Sequence, residues 1–160
     1  TSEEVGKQVF AAADGYISRI KISAIGFGKA LYITHPNGFV TVYGHLKKFS
    51  PNIEKYVLEK QYEIESFEIE LFPPANEFTF KKGEVIGYSG NSGSSSGPHL
   101  HFEIRFLGQA LDAEDFIDFT TGQLKKDEFV LHKSDVDNKC TFHSAQEGHY
   151  FPRVQVIPRL

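Results

Sequence analysis

Residues 97–106 read Gly-Pro-His-Leu-His-Phe-Glu-Ile-Arg-Phe, and this stretch decides the fold class of the chain. Apolar and polar side chains alternate along it, which predicts a β-strand with one buried face and one polar face. The apolar face is formed by Leu100, Phe102, Ile104 and Phe106. His99 and His101 share the polar face, where same-face neighbours lie about 7 Å apart. The two imidazoles are therefore expected side by side, in a cleft that this face borders.

Two β-hairpins are predicted upstream of this strand. Residues 9–22 contain Asp14-Gly15 between two short apolar runs, as a hairpin requires. Residues 29–34 and 39–45 flank Pro36-Asn37-Gly38, and Asn-Gly between alternating runs is the strongest short-range hairpin signal. The first part of the chain is therefore expected to form short antiparallel strands.

A third histidine, His45, ends the strand predicted over residues 39–45. Strand alternation places Thr41, Tyr43 and His45 on one face, from which the imidazole of His45 would reach the cleft. His35 precedes a proline in the turn of the same hairpin, and we expect it at the surface. The cleft is thus predicted to contain three imidazoles.

The segment of residues 51–80 is predicted to be an insertion made of a helix and a strand. Ile53, Tyr56 and Val57 recur at helical spacing, and the Glu and Lys residues between them suit a solvated helix face. Residues 66–72 then alternate as a half-buried strand and are followed by two prolines. Helix and strand together are expected to be an addition to the main fold.

These patterns predict an all-β fold, mainly an antiparallel two-sheet sandwich or half-barrel, with a short helical insertion. Residues 1–106, including the insertion, are assigned to one core domain. Residues 107–160 are assigned to a C-terminal extension of unknown role. The chain of 160 residues is long enough to bury one hydrophobic core.

Composition narrows the classes of function. The formal net charge of −4 and the absence of a basic stripe argue against a nucleic-acid binder, which needs clustered Lys and Arg. No apolar run approaches the roughly 18 residues that a membrane-spanning helix needs. Cys140 is the single cysteine, so a metal site in this sequence would use His and carboxylate ligands.

Two stretches resemble the signatures of the lysostaphin-type (LytM-like) zinc metalloendopeptidases, which hydrolyse peptidoglycan. They are residues 97–103, Gly-Pro-His-Leu-His-Phe-Glu, and residues 41–46, Thr-Val-Tyr-Gly-His-Leu. Residues 82–87, 90–93 and 9–15 are similar to the same family in the same order, so the resemblance covers residues 5–106. It implies Zn²⁺ as cofactor, peptidoglycan peptides as substrate and a location outside the cytoplasm.

The resemblance also implies roles for the three histidines. His101 matches a zinc ligand of that family. His99 and His45 match two non-ligand histidines that orient or deprotonate the attacking water and steady the oxyanion. This chemistry is coherent, because zinc lowers the pKa of bound water toward about 7 while an imidazole moves the proton. Glu103 shares the histidine face, but we assign it to structure and not to catalysis.

One departure from the family pattern concerns the remaining ligands. The family supplies two further ligands from a His-x-x-x-Asp pair, and these 160 residues contain no such pair. We expect the pair to lie just upstream of Thr1. The alternative is a degenerate, non-catalytic member that acts as a peptidoglycan-binding or hydrolase-activating module. A metal enzyme of the cupin or carbonic-anhydrase kind also uses His-x-His on a strand, but the position of Glu103 and the chain length disfavour it.

Overall fold

The computed structural model describes residues 5–121 and 123–124. These residues form one α-helix, α1 Pro51–Ile64, and a turn of 3-10 helix over Ala113–Asp115. The strands are β1 Gln8–Phe10, β2 Gly15–Ile22, β3 Lys29–Thr34, β4 Phe39–Gly44, β5 Lys48–Phe49, β6 Ile69–Leu71, β7 Thr79–Phe80, β8 Val85–Tyr88, β9 His101–Phe106, β10 Gln109–Leu111, β11 Ile117–Asp118 and β12 Gln123–Leu124.

The strands form one large sheet and two small ones. The large sheet has seven strands in the order β10-β9-β4-β3-β2-β6, with β7 also paired to β2. The second sheet has the order β1-β8-β5, and β11 pairs with β12. All pairs in the described part of the chain are antiparallel. The predicted mainly antiparallel β fold with a short helix is confirmed.

The main hydrophobic core lies between the two larger sheets and the helix. Its buried residues are Val9, Ala11, Ile17, Ile20, Ile22, Leu31, Ile33, Tyr43, Leu46, Phe49, Ile53, Val57, Ile69, Leu71 and Ile86. A second cluster lies at the β9–β10 end of the large sheet and includes Phe39, Ile104 and Phe106. The predicted apolar face of the 97–106 strand is therefore correct, because its even-numbered residues face these clusters.

The hairpin of β3 and β4 turns at Asn37-Gly38, as predicted. Gly38 has a φ of 88°, and the N–H of His35 donates to the carbonyl of Phe39 over 2.8 Å. A positive φ suits glycine, which lacks the Cβ that strains this conformation. Strand β4 ends at Gly44, one residue earlier than predicted.

The prediction that His45 continues the strand face of Thr41 and Tyr43 is wrong. Thr41 and Tyr43 are buried, whereas His45 has a φ of 58° and lies beyond the end of β4. A left-handed backbone breaks the two-residue alternation of a strand. The imidazole of His45 therefore leaves the face that Tyr43 occupies.

His35 is buried, so the prediction of a surface position is wrong. Its ring is part of a hydrogen-bonded chain: Nδ1 lies 2.7 Å from the carbonyl oxygen of Asp14, and Nε2 lies 2.9 Å from Thr41 Oγ1. Thr41 Oγ1 contacts the Tyr43 hydroxyl over 3.0 Å, and that hydroxyl accepts the Ala12 N–H over 2.9 Å. These bonds satisfy polar groups in the interior, as burial requires.

Helix α1 follows the predicted pattern. Ile53 and Val57 are its buried residues, and Pro51 occupies the first turn, where its missing N–H costs nothing. The Glu54 carboxylate, predicted to face solvent, instead accepts the main-chain N–H of Phe49 over 2.8 Å. No helix among the described residues is long and apolar enough to cross a membrane.

The domain boundaries stay predictions. Strand β6 of the predicted insertion pairs with β2 at the edge of the large sheet. Strand β10, beyond residue 106, pairs with β9, so the sheet continues into the segment assigned to the extension. Most of residues 107–160 lie outside the part of the chain that the structure describes.

Candidate active site

Strand β9 lies inside the large sheet, between β10 and β4. Strand β9 pairs with β4 in the register Gly44↔His101 and Val42↔Glu103. Gly44 is closely packed against its neighbours. A Cβ at this position would lie 3.3 Å from the Cβ of His101 and 3.2 Å from that of Phe27, which is tighter than an ordinary contact. The lack of a side chain at position 44 therefore gives His101 room at this point of the sheet.

The structure brings the three predicted histidines together. The ring centroids of His45 and His99 are 4.6 Å apart, and those of His45 and His101 are 5.8 Å apart. Phe27 stacks on His101 with centroids 4.3 Å apart and an interplanar angle of 28°. The imidazoles thus converge on one patch, which we call the histidine cluster: His45, His99 and His101.

His45 is held tightly although it follows the end of a strand. Its side chain and backbone are 5% exposed, and its main-chain N–H donates to the carbonyl of Phe27 over 2.7 Å. Its ring Nδ1 lies 2.7 Å from the carbonyl oxygen of Ser92. A carbonyl oxygen only accepts, so Nδ1 carries the proton and Nε2 is the unprotonated nitrogen of the neutral ring.

The loop that receives this bond is itself fixed by close backbone packing. The Ser92 hydroxyl accepts the Lys29 N–H over 3.0 Å and donates to the Leu46 carbonyl over 2.7 Å. Gly93 and Gly28 both have a positive φ, and a Cβ on either would collide with the backbone of the facing loop. The Gly/Ser-rich loop, residues 90–97, therefore packs against the 26–28 turn and positions the Ser92 carbonyl.

His99 is anchored just before β9. Its main-chain N–H donates to the Gly90 carbonyl over 3.2 Å in an isolated antiparallel bridge. Its ring Nδ1 lies 2.8 Å from the Gly97 carbonyl oxygen and 3.2 Å from Ser95 Oγ. The same reasoning as for His45 puts the ring proton on Nδ1 and leaves Nε2 as an acceptor.

His101 has the opposite arrangement of its ring nitrogens. Its Nε2 lies 2.6 Å from Glu103 Oε1, and the other carboxylate oxygen binds Arg105. Burial of the Glu103 carboxyl opposes ionisation, but the hydrogen bonds from Arg105 and His101 outweigh it and hold the pKa of Glu103 below its ordinary value. The ionised carboxylate accepts only, so Nε2 of His101 donates.

The three rings therefore offer different free nitrogens. Among residues 5–121 and 123–124, no protein group hydrogen-bonds Nε2 of His45, Nε2 of His99 or Nδ1 of His101. Two unprotonated Nε2 atoms can accept protons, and one unprotonated Nδ1 atom can bind a metal. This division of roles is the chemistry that the arrangement supports.

The described residues alone do not form a complete metal site. Within them, no group of three or more His, Cys, Asp or Glu side chains is placed to hold a metal ion. His101 could supply one metal ligand. Its Nε2–H donates to the Glu103 carboxylate, as is usual for metal-binding imidazoles, and its Nδ1 lone pair remains available. Sequence reasoning left Glu103 out of the site, although strand alternation had already placed it on the histidine face.

A family model for peptidase family M23 matches residues 2–62 and 76–113. The chain belongs to peptidase family M23. The match includes all three members of the histidine cluster. The unmatched residues 63–75 fall within the segment that we assigned to an insertion.

Two of the curated relatives carry peptidase or protease names. The chain is 36% identical over 107 residues to the DD-carboxypeptidase/endopeptidase Mpg of Neisseria meningitidis serogroup B, which covers 67% of this chain and 19% of that protein. It is 35% identical over 107 residues to an uncharacterized metalloprotease of Haemophilus influenzae, covering 67% and 18%. The chain thus spans about a fifth of the length of these relatives.

Solved M23-type structures share the fold. The catalytic domain of the antimicrobial peptidase lysostaphin from Staphylococcus simulans is 25% identical, with a TM-score of 0.50, covering 70% of this chain and 71% of that one. A zinc containing peptidase from Vibrio cholerae is also 25% identical with a TM-score of 0.50, covering 69% and 26%. Membership of the family and the mainly β fold therefore rest on independent comparisons.

Proposed function

We propose that the chain carries part of the catalytic centre of a zinc-dependent endopeptidase that hydrolyses peptide bonds of peptidoglycan outside the cytoplasm. The observation that carries this proposal is the convergence of three imidazoles, with ring centroids 4.6 and 5.8 Å apart. All three belong to segments that the M23 family model matches. Clusters of titratable side chains with different protonation patterns are typical of catalytic sites.

His101 is the proposed zinc ligand within this chain, through its free Nδ1. Bound zinc would lower the pKa of a coordinated water and polarise the scissile carbonyl. Three protein ligands are usual for catalytic zinc, so the remaining ligands are proposed to come from residues outside this sequence. The stacked Phe27 ring and the Glu103 carboxylate restrict the orientation of the His101 ring.

His99 and His45 are the proposed proton-handling residues. The carbonyl of Gly97 fixes Nδ1–H of His99, and the carbonyl of Ser92 fixes Nδ1–H of His45. Each ring therefore keeps an Nε2 lone pair that can accept a proton from the attacking water. Once protonated, the same Nε2–H can donate to a developing oxyanion or to the leaving amine.

The substrate class is proposed from the names of the relatives. The Neisseria relative is a DD-carboxypeptidase/endopeptidase, and another relative is the peptidoglycan DD-endopeptidase ShyC of Vibrio cholerae. The latter is 28% identical over 104 residues. Peptides of the cell wall are accordingly the substrates to test first.

The test uses the full-length natural protein, with purified peptidoglycan and chromatographic analysis of the released peptides. We expect cleavage that a chelator abolishes and added zinc restores. His101→Ala should lose zinc and activity, whereas the control His35→Gln, whose ring bonds Asp14 and Thr41, should retain both. Absence of chelator-sensitive cleavage would refute the proposed endopeptidase activity. Binding of peptidoglycan without cleavage would favour the non-catalytic alternative.

A further inference from the structure

The two oxygens of the Glu103 carboxylate are used separately. Oε1 accepts Nε2–H of His101 over 2.6 Å. Oε2 accepts from Arg105, with Nε at 2.6 Å and Nη2 at 2.5 Å. The Glu103 side chain is 17% exposed, so water contributes little to its solvation and these bonds largely satisfy it.

All three residues lie on one face of β9, at two-residue spacing. Their partners across the strand pair are Gly44, Val42 and Val40, in the register Gly44↔His101, Val42↔Glu103 and Val40↔Arg105. A rigid central strand holds such a row more precisely than a loop does. The row connects the histidine cluster to Arg105.

Arg105 is restrained on its far side by an aromatic ring. Its guanidinium carbon lies 5.8 Å from the ring centroid of Tyr32, which is 7% exposed. A guanidinium against an aromatic face is favourable, and it forms a planar, directional pair with a carboxylate. Both Arg105 donors bind the same oxygen, so Arg105 restrains Oε2 of Glu103 and leaves Oε1 to His101.

The Glu103 carboxylate determines which ring nitrogen of His101 carries the proton. An ionised carboxylate has no proton to donate, so the bond at 2.6 Å requires the proton on Nε2 of the imidazole. Phe27, stacked 4.3 Å away, limits rotation of the same ring. Ring orientation and tautomer are thus both restrained, and among the described residues no hydrogen bond occupies the unprotonated Nδ1.

We infer that Glu103 is a positioning residue, which holds the Nε2–H form and the ring orientation of His101 and so prepares Nδ1 for the metal. This inference rests on the proposed zinc-ligand role of His101. Carboxylates behind metal-binding imidazoles typically change metal affinity by about 10–100-fold when they are removed. In this role Glu103 acts through His101, to which its Oε1 is hydrogen-bonded.

The first test needs no metal. In the metal-free full-length protein labelled with ¹⁵N-histidine, we expect a downfield, slowly exchanging ring proton coupled to Nε2 of His101, at a pH above about 8, where an ordinary imidazole is neutral. The resonance is assigned by its loss in His101→Ala. Glu103→Ala should abolish it, and Glu103→Gln, whose amide oxygen still accepts, should retain it.

Glu70→Ala is the matched control. Glu70 pairs with Arg19, another arginine that lies over the Tyr32 ring, with 4.6 Å between its guanidinium carbon and the centroid. This variant also removes the carboxylate partner of an arginine on the same sheet, but it touches no histidine. It should leave the His101 resonance unchanged.

The second test measures zinc affinity of the full-length protein by competition with a chelating dye. Glu103→Ala should weaken zinc binding by about 10–100-fold, Glu103→Gln should weaken it less, and Glu70→Ala should leave it unchanged. Persistence of the ring-proton resonance in Glu103→Ala, or an unchanged zinc affinity, overturns the inference. Retention of zinc by His101→Ala instead refutes the proposed ligand, which is a separate result.

Discussion

Nδ1 of His45 lies 2.7 Å from the main-chain oxygen of Ser92, a residue 47 positions further along the chain. This bond joins the end of β4 to the loop that leads into β9. Two members of the histidine cluster, His45 and His99, are therefore oriented by carbonyl groups of the same Gly/Ser-rich loop. The geometry of the cluster depends on how that loop packs.

A Cβ at position 93 should displace this loop. Gly93→Ala combines a φ of 74° with a collision against the Gly28 backbone, whereas Gly83→Ala has a φ of 85° with nothing within 4 Å. Left-handed backbone costs a non-glycine residue about 1–2 kcal/mol in both variants. We expect Gly93→Ala to lower the free energy of unfolding, measured in urea, by about 1 kcal/mol more than Gly83→Ala does. Equal losses of unfolding free energy in the two variants would contradict this prediction, because they would show that the loop accommodates the added Cβ without cost.

Alanine substitutions of the three histidines should have different effects on zinc content and kcat in the full-length protein. His101→Ala should lose bound zinc, measured by atomic emission. His99→Ala and His45→Ala should keep zinc but lower kcat on a cross-linked peptide by about 10²–10⁴-fold, the usual contribution of acid–base catalysis. A loss of zinc in His99→Ala, or an unchanged kcat, would contradict these roles.

The hydroxyl of Tyr43 should contribute to stability. Burial raises the pKa of Tyr43 to about 12, and its oxygen accepts the Ala12 N–H over 2.9 Å. Tyr43→Phe leaves that donor without its partner, so we expect a loss of about 1–3 kcal/mol in the free energy of unfolding. Tyr62, which is 76% exposed, provides the control, and Tyr62→Phe should change stability by less than about 0.5 kcal/mol.

His35 should make the fold sensitive to mild acid. Burial lowers the pKa of His35 below the ordinary value of an imidazole, and the Asp14 carbonyl offsets this only in part. The unfolded chain therefore binds a proton at a higher pH than the folded chain does. The stabilising effect is complete above about pH 6.5 and is lost as the pH falls through the lowered pKa.

The measurement for this prediction is chemical unfolding at several pH values between about 5 and 8. Stability of the wild-type chain should rise with pH across this window, and His35→Gln should show a smaller slope. The difference between the two slopes isolates His35 from the carboxyl groups, which titrate at lower pH. Identical slopes would mean that the ring is not desolvated in the folded protein.

Local patterns predicted much of the fold, although the hairpin predicted over residues 9–22 is wrong, because β1 pairs with β8 and β2 pairs with β3. The turn at Asn37-Gly38, the helix that contains Ile53 and Val57, and the apolar face of β9 all follow from spacing within a few residues. Such signals depend on backbone geometry that each short segment sets for itself. They could therefore be recognised without knowledge of the remainder of the chain.

Long-range contacts were the part that spacing could not predict. The buried ring of His35 contacts the Asp14 carbonyl, which is 21 positions away in the sequence. The Glu54 carboxylate accepts the main-chain N–H of Phe49, which lies outside helix α1. His45 reaches the cluster through a left-handed backbone that strand alternation does not anticipate. The family resemblance identified the histidines, but the contacts that orient them appear only once the chain is folded.

The two faces of β9 also have a practical consequence for protein engineering. Ile104 and Phe106 are buried in the core, whereas His101 and Glu103 lie on the opposite face. Libraries randomised only at odd-numbered positions of this strand would vary His101, Glu103 and Arg105 while leaving the buried side chains of Ile104 and Phe106 unchanged. Well-folded variants that lack the His101 imidazole should therefore be obtainable from such libraries.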